Sequence, residues 1–269
     1  MKDLRHLKHI KSLHIEAPTE NLGVLKDFAN LRELYITNSN ETDWSFIEDL
    51  TGLQSLYIIN AQFNDLTPIA SLCEKQYQKY IHSNEEEFCF LKNLYLNYCE
   101  IKDITPLKKC ASIGELDLSH NHIRDISPLK NVKRLFTLTL RYNKIKDLSP
   151  LESLPNIHSI NARHNDVSNI KVLLRFKSTN LTQLYLGDNP IKDYLPIKKI
   201  DIPLNKYKKR ATEEGKLEAY VHKAKSADWM AEFVYNSLAI EGSELSHDDV
   251  KRIIHAQDKN NGPKKDIED

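Results

Sequence analysis

The chain has 269 residues, 40% of them apolar and 28% charged, with 38 lysines and arginines against 38 aspartates and glutamates. Zero net charge argues against a surface built for nucleic acid or an anionic membrane. No run of about 18 uncharged apolar residues is long enough to cross a bilayer, and MKDLRHLKHI lacks the continuous apolar core of a secretory leader, so a cytoplasmic chain is expected.

Taken in chain order, the pattern L-x-x-L-x-L opens at Leu31, Leu53, Leu91, Ile113, Leu135, Ile157 and Leu181, with a looser copy at Ile10. Successive starts lie 21, 22, 38, 22, 22, 22 and 24 residues apart, and the 38 is one period plus a 16-residue insertion. Within each copy the apolar residues alternate with polar ones at period two, which predicts a short strand with one face buried. One copy cannot bury its apolar face alone, whereas eight stacked copies can. Asn121, Asn143, Asn165 and Asn189 fall where the chain leaves the strand, and their amides can satisfy backbone groups that an inward turn would orphan. The earlier copies have Ser39, Ala61 and Cys99 there, so a weaker ladder is expected. On the return path, Thr67-Pro68, Thr105-Pro106, Ser127-Pro128 and Ser149-Pro150 each place a hydroxyl before a proline suited to the first position of a helical turn. The hydroxyls are expected to cap these turns.

This periodicity resembles a leucine-rich repeat array, and N-x-I-x-D-[IL]-[ST]-P-L, at Asn121 to Leu129 and Asn143 to Leu151, resembles the 22-residue repeats of bacterial internalin-type proteins. The resemblance implies an α/β fold, a leucine-rich repeat solenoid with a parallel sheet on its concave face and short 3₁₀ or α turns on its convex face. It is expected to occupy residues 1–197 as about eight repeats.

Because the leucines are structural, function is sought among the strand residues facing outward. These are His14, Tyr35, Tyr57, Asn93, Tyr95, Asn97, Tyr98, Asp117, His120, Arg141, Tyr142, Asn161, Arg163, His164, Tyr185 and Asp188. Tyrosine and arginine are enriched at protein-binding hot spots, and eight strands at ~4.8 Å spacing give a face roughly 34 Å across, suited to a folded protein. Of the set, Tyr35, Tyr57, Tyr95, Tyr98, His120, Arg141, Tyr142, Arg163, His164 and Tyr185 are the expected protein-binding residues. Asp117, His120, Arg141, Arg163 and His164 could also form a hydrolytic group, but concave histidines in repeat arrays are read as binding residues. β propensity alone also favours tyrosine on a strand surface.

The insertion at 73–90 interrupts the array once and is expected to project as a loop or short helix, since the flanking copies must still stack. Cys73, Cys89, Cys99 and Cys110 show neither a C-x-x-C pair nor zinc spacing, so free thiols and no metal are expected. A Cys73–Cys89 bridge would need an oxidising compartment.

After Ile197 the repeat stops. Residues 198–225 are lysine-rich and read as a linker leading into a helix; residues 226–257 read as two helices, and 258–269 as a polar, disordered tail. Ser226 caps the first of these helices, whose Trp229, Met230, Phe233, Val234 and Ile240 recur at three-to-four spacing, with Gly242 as its stop; Ser246 and Asp249 open the second.

The string from Ser237 to Gly242, with the segment that follows it, resembles the [ST]-x-x-x-E-[GN] inhibitory helix of Fic-domain proteins, enzymes that transfer AMP from ATP to protein hydroxyls. The resemblance implies regulatory roles for Ser237, Glu241 and Gly242. Glu241 would be the glutamate that pairs with the arginine of an anion-binding loop and blocks the seat of the γ-phosphate. The residues themselves also allow an exposed final-turn glutamate beside an ordinary C-cap glycine. The family's catalytic H-x-F-x-[DE]-G-N-G-R loop is absent, and seven glycines in all, ~3% against an average of ~7%, leave little room for a phosphate cradle. The expected function is therefore a non-catalytic protein-binding scaffold carrying a Fic-type inhibitory motif, with no cofactor unless a Fic core supplies an ATP site. Three alternatives stand beside it: the recognition part of a longer Fic transferase, a separate inhibitor of a Fic enzyme, and a repeat-type regulatory subunit with a helical cap.

Overall fold

The computed structural model describes residues 9–16, 21–82, 90–175 and 181–193. Eight strands form one parallel sheet in strict chain order: β1 (Ser12–Glu16), β2 (Glu33–Thr37), β3 (Ser55–Ile59), β4 (Asn93–Asn97), β5 (Glu115–Asp117), β6 (Thr137–Thr139), β7 (Ser159–Asn161) and β8 (Gln183–Tyr185). Equivalent repeat positions pair, as in Leu34↔Leu56, Leu56↔Leu94 and Leu116↔Leu138, and the 16-residue insertion between β3 and β4 leaves the register intact. A one-residue slip would turn each leucine to solvent, so the period-two pattern fixes this register.

The core runs the length of the stack. Leu31, Leu53, Leu91, Ile113, Leu135 and Ile157 enter it just before their strands, and pairs such as Leu94 with Leu96 and Leu138 with Leu140 enter it from the strands, all fully buried. The convex wall closes it through short 3₁₀ turns at Leu22–Asp27, Ser45–Asp49, Thr105–Lys109, Ser127–Asn131, Ser149–Ser153 and Lys171–Arg175. Leu107, Leu129 and Leu151 point inward from three of them. Burying one such leucine stabilises the array by about 1.5–3 kcal/mol.

The 3₁₀ turns are capped differently from expectation. The serine and threonine hydroxyls do not cap them; the aspartate two residues earlier does. Asp103 accepts the Thr105 amide at 2.8 Å, Asp125 the Ser127 amide at 2.7 Å and Asp147 the Ser149 amide at 2.8 Å. The Ser127 and Ser149 hydroxyls instead donate to the same aspartates, at 2.9 and 2.6 Å. A carboxylate reaches the amide two residues on in an Asx turn and carries the negative charge that a helical N-terminus favours, which a hydroxyl lacks.

The described part of the insertion, up to His82, takes the helical form of the two expected, and its inner face is part of the wall. It lengthens the third convex turn into a regular helix, α1 (Thr67–His82), starting six residues before the sequence break at Cys73. Ile69, Ala70, Leu72 and Cys73 of α1 face the core. Gln76, fully buried, donates to the Leu53 carbonyl at 2.7 Å and accepts the Leu91 amide at 2.8 Å, tying the start of one copy to the start of the next. On the outer side Lys75 pairs with Glu48 and Asp49, and Glu74 with Lys109.

The asparagine ladder forms as read. Asn121 accepts the Cys99 and Ile101 amides at 3.1 and 3.0 Å and donates to the Leu96, Leu118 and Ser119 carbonyls at 2.8, 2.9 and 3.1 Å. Asn143, Asn165 and Asn189 repeat the arrangement. Cys99 takes the same place one copy earlier. Its thiol donates toward the Ile58 and Asn97 carbonyls at 3.4 and 3.3 Å and lies against the Ala61 amide, and burial pushes it up to about 12.

Nearer the N-terminus a residue with no periodic signal does this work. Glu41 stands at a repeat position that later copies fill with Ile101, Ile123 and Ile145, yet it is buried and its carboxylate accepts the Leu22, Thr42 and Asp43 amides. Cys73, Cys99 and Cys110 are free and buried. Cys89 lies outside the described residues, as do 194–269, with the expected linker, helix pair and tail and with Ser237, Glu241 and Gly242. Among the described residues no helix is long and apolar enough to cross a membrane.

Candidate functional site

The outward side chains separate into two lines, because two repeat positions behave differently. Position five lies inside the strand, where in-register parallel pairing sets successive copies ~4.8 Å apart, the thickness at which flat rings stack. Tyr35 and Tyr57 stack with centroids 3.8 Å apart and planes at 6°, Tyr57 and Tyr95 at 4.4 Å and 9°, and His14 leans on Tyr35 at 4.2 Å. The Tyr95 hydroxyl donates to Glu115 on β5, which ends the line. Burial raises both the Tyr57 and the Tyr95 hydroxyls above the usual tyrosine range, assisted by Tyr35 and by Glu115 respectively, so both stay protonated donors.

Position eight lies past the strand, where the chain turns inward. Asn38, Asn60, Tyr98, His120, Tyr142, His164 and Asp188 all adopt the left-handed conformation there, with φ between 51° and 57°. Each of the six residues from Asn38 to His164 donates its amide to the neighbouring copy: His120 to the Arg141 carbonyl at 2.9 Å, Tyr142 to Arg163 and His164 to Gly187 at 3.0 Å. These cross-copy bonds hold the turn rigid. The side chains form a second ladder. Tyr98, His120, Tyr142 and His164 stack at 4.1, 4.2 and 4.0 Å with planes within 16°, and His164 Nε2 lies 3.2 Å from Asp188 Oδ2. In the earlier copies Asn60 donates to Asn38 at 2.6 Å along the same line.

The energetics of this second line point away from stability as its purpose. A left-handed conformation costs a side chain with a Cβ about 1–2 kcal/mol, and asparagine, aspartate and histidine bear it best. Asn38, Asn60, His120, His164 and Asp188 follow that preference, whereas Tyr98 and Tyr142 place bulky rings there. A stacked pair returns about 0.5–1.5 kcal/mol, so rings at these turns gain little over asparagine. What they add is exposed aromatic surface: Tyr98 is 52% and Tyr142 37% exposed.

The other expected residues fall between or beside the ladders. Tyr185 ends the concave row on β8, with the Arg163 guanidinium carbon 5.6 Å above its ring. Arg163 is only 2% exposed, so its guanidinium serves internal packing and is not offered to a partner, contrary to expectation. Arg141 is half-buried on the neighbouring copy. Asn93 donates to Ser55 at 3.0 Å, Asn161 accepts the Arg163 amide at 3.3 Å, and Asn97 is half-buried. Asp117 accepts both the amide and the hydroxyl of Ser119. Asp117 is thus bent back onto its own strand, and His120 is held within the ring stack.

In-register tyrosines, left-handed inward turns and an amide ladder on a 22-residue period are decisive together. The fold is a leucine-rich repeat solenoid. A family model for leucine-rich repeats in two copies matches residues 89–131. None of the curated proteins matches the chain. Among solved structures, the solenoid is similar to internalin C2 of Listeria monocytogenes, with 26% identity and a TM-score of 0.61 over 72% of this chain and 79% of that one. A second internalin from that species is 28% identical with a TM-score of 0.57, over 74% of this chain and 60% of its own. A plant peptide hormone receptor, solved as a complex with a ligand, matches at 18% identity with a TM-score of 0.55 over 73% of this chain and 31% of its own length, and shares the fold alone.

Glu41, Gln76 and the Asp103, Asp125 and Asp147 caps escaped the sequence reading. The aspartates sit in the repeat motif at a constant two-residue offset from the cap amide, which was the available signal. Glu41 and Gln76 leave none, since each partner is set by the stacking of copies.

Proposed function

We propose that this solenoid is a protein-recognition scaffold that docks a folded partner across its concave face, with the Tyr35–Tyr57–Tyr95 row and the Tyr98–His120–Tyr142–His164 ridge as the contact lines. The observation that carries the reading is the second ladder: bulky rings at left-handed turns where asparagine is cheaper, stacked and partly exposed. Stacked rings have already lost their rotamer freedom, so a partner gains their contact area at little entropic cost. The Tyr95 hydroxyl, its proton engaged by Glu115, is left to accept a hydrogen bond from a polar rim. The receptor among the similar structures was solved bound to a ligand, in keeping with this use of the fold.

The test replaces rings without touching the backbone. Tyr98→Asn combined with Tyr142→Asn keeps residues that accept the left-handed turn, so the solenoid stays folded. The partner is captured from the source cells, identified and titrated against both forms by calorimetry. Loss of at least about 2 kcal/mol in affinity, the size of a hot-spot effect, is expected. Unchanged affinity with the double variant would remove the second ladder from the interface.

In this reading the chain acts in the cytoplasm, without catalysis and without a cofactor of its own, and residues 226–257 form a Fic-type inhibitory helix pair. The resemblance of Ser237 to Gly242 supports that last part. Adding the chain to a Fic transferase with labelled ATP tests it: transfer falls with the native chain and recovers with Glu241→Gly. Transfer that ignores the chain refutes it.

A further inference from the structure

Beside the sheet, on the flank where the chain enters each strand, lies a groove of about 750 Å³ that neither ladder uses. It follows the residues at position two of the repeat and is bordered by the strand residues Asn93, Thr137, Ser159 and Gln183 at position three. Lys92, Gly114, Phe136, His158 and Thr182 succeed one another there, each amide donating to the preceding copy's carbonyl at 2.8 Å. Gly114 opens the row: a Cβ at that position would lie 2.5 Å from Phe136 Cε1, so the missing side chain is what lets the Phe136 ring lie over the strand start. The ring is 41% exposed and forms the apolar floor.

Around this floor the lining is cationic and polar. Lys92 and Arg134 contribute fixed positive charges, and His158, whose Nδ1 lies 3.2 Å from the Asn156 carbonyl, adds a polar ring. Among the described residues no carboxylate lines the groove. The nearest in register, Glu115 between Asn93 and Thr137, takes the Tyr95 hydroxyl on the concave side. In a chain with equal numbers of acidic and basic residues, a groove whose described lining holds two fixed cations and an exposed ring but no acid is locally complementary to negative charge next to apolar surface.

We propose that this flank groove is a second docking surface, distinct from the two aromatic ladders, for an acidic segment of a partner protein that seats an apolar side chain on Phe136. Protein is favoured over nucleic acid because the lining holds two fixed cations around an aromatic floor, whereas a phosphate backbone calls for a regular series of them.

The test uses the full chain and a fluorescein-labelled peptide, Glu-Glu-Leu-Glu-Glu-Leu-Glu-Glu, read by anisotropy. The peptide is expected to bind with a dissociation constant below about 1 mM and to weaken as salt is raised. Lys92→Glu with Arg134→Glu is expected to weaken binding at least ~10-fold, and Phe136→Ser several-fold. Lys144→Glu with Lys146→Glu, an equal change of net charge at two exposed sites outside the groove lining, is expected to change it less than ~2-fold. The ring variant Tyr98→Asn/Tyr142→Asn is expected to bind the peptide unchanged, which separates this proposal from the concave reading. Absence of binding, equal losses in the two charge-reversal pairs, or tighter binding of a 12-nucleotide single strand than of the peptide would each overturn it.

Discussion

Asn143→Ala tests the amide ladder at its centre. The Asn143 side chain accepts the Ile123 amide at 2.9 Å and donates to the Leu118 and Leu140 carbonyls at 2.9 and 3.0 Å. The carbonyls are insured: Leu118 also accepts from Asn121 at 2.9 Å, and Leu140 from Asn165 at 2.9 Å. Losing one of two donors costs each roughly 0.5 kcal/mol. The Ile123 amide, by contrast, is left unpaired beside a fully buried side chain, which costs about 1–3 kcal/mol. Alanine is therefore expected to destabilise the solenoid by about 2–4 kcal/mol. Asn189→Ala, at the half-buried end of the same ladder, is expected to cost less than half as much because water reaches the freed groups. The two variants and the parent are compared by urea unfolding followed by circular dichroism, with hydrogen exchange at the Ile123 amide as an independent reading. Equal losses for Asn143→Ala and Asn189→Ala, or no faster exchange at Ile123, would refute the reasoning.

The thiols and the caps give two further checks. Cys99, pushed up to about 12 by burial, and Cys73, held well above the usual thiol range by the adjacent Cys110 thiol and by burial, are both unreactive thiols in the folded state. With Cys89 replaced by serine, Ellman's reagent at mildly alkaline pH is expected to consume no thiol until denaturant is added; prompt release of one equivalent from the folded chain contradicts this. At the convex turns, the Thr105 hydroxyl and amide hold the Asp103 carboxyl below the usual carboxylate range. A lowered folded value means its stabilisation is present above the unfolded value of ~3.9 and is lost as pH falls through the folded one. Asp103→Ala is expected to cost about 1 kcal/mol near neutrality, with the gap to the parent closing in acid. A gap that persists at strongly acid pH would show that the carboxylate charge is not what caps the turn.

Much of this fold was legible in the residues because each copy repeats one local problem. The 22-residue period sets strand pairing, the leucine alternation sets which face is buried, and Asn121, Asn143, Asn165 and Asn189 announce the amide ladder by their spacing. The tyrosines at position five and the rings at position eight could be placed on the outward side for the same reason. Spacing along the chain carries no information about what a side chain meets across copies, and the structure alone decided those matters. Arg163 is read from the pattern as a contact residue, yet stacking lays it over Tyr185 and buries it. The insertion breaks the period and reads as a loop or short helix, and only the structure shows that α1 is tied to the convex wall by Gln76, which completes the Leu53 and Leu91 backbone. Glu41, Cys99 and the Gly114–Phe136 notch likewise acquire their roles from neighbours at least 19 residues away. Local periodicity thus determined the solenoid, the outward rows and the ladder, while the environment of each outward side chain, and so the shape of its binding surfaces, was set by the packing of one copy on the next.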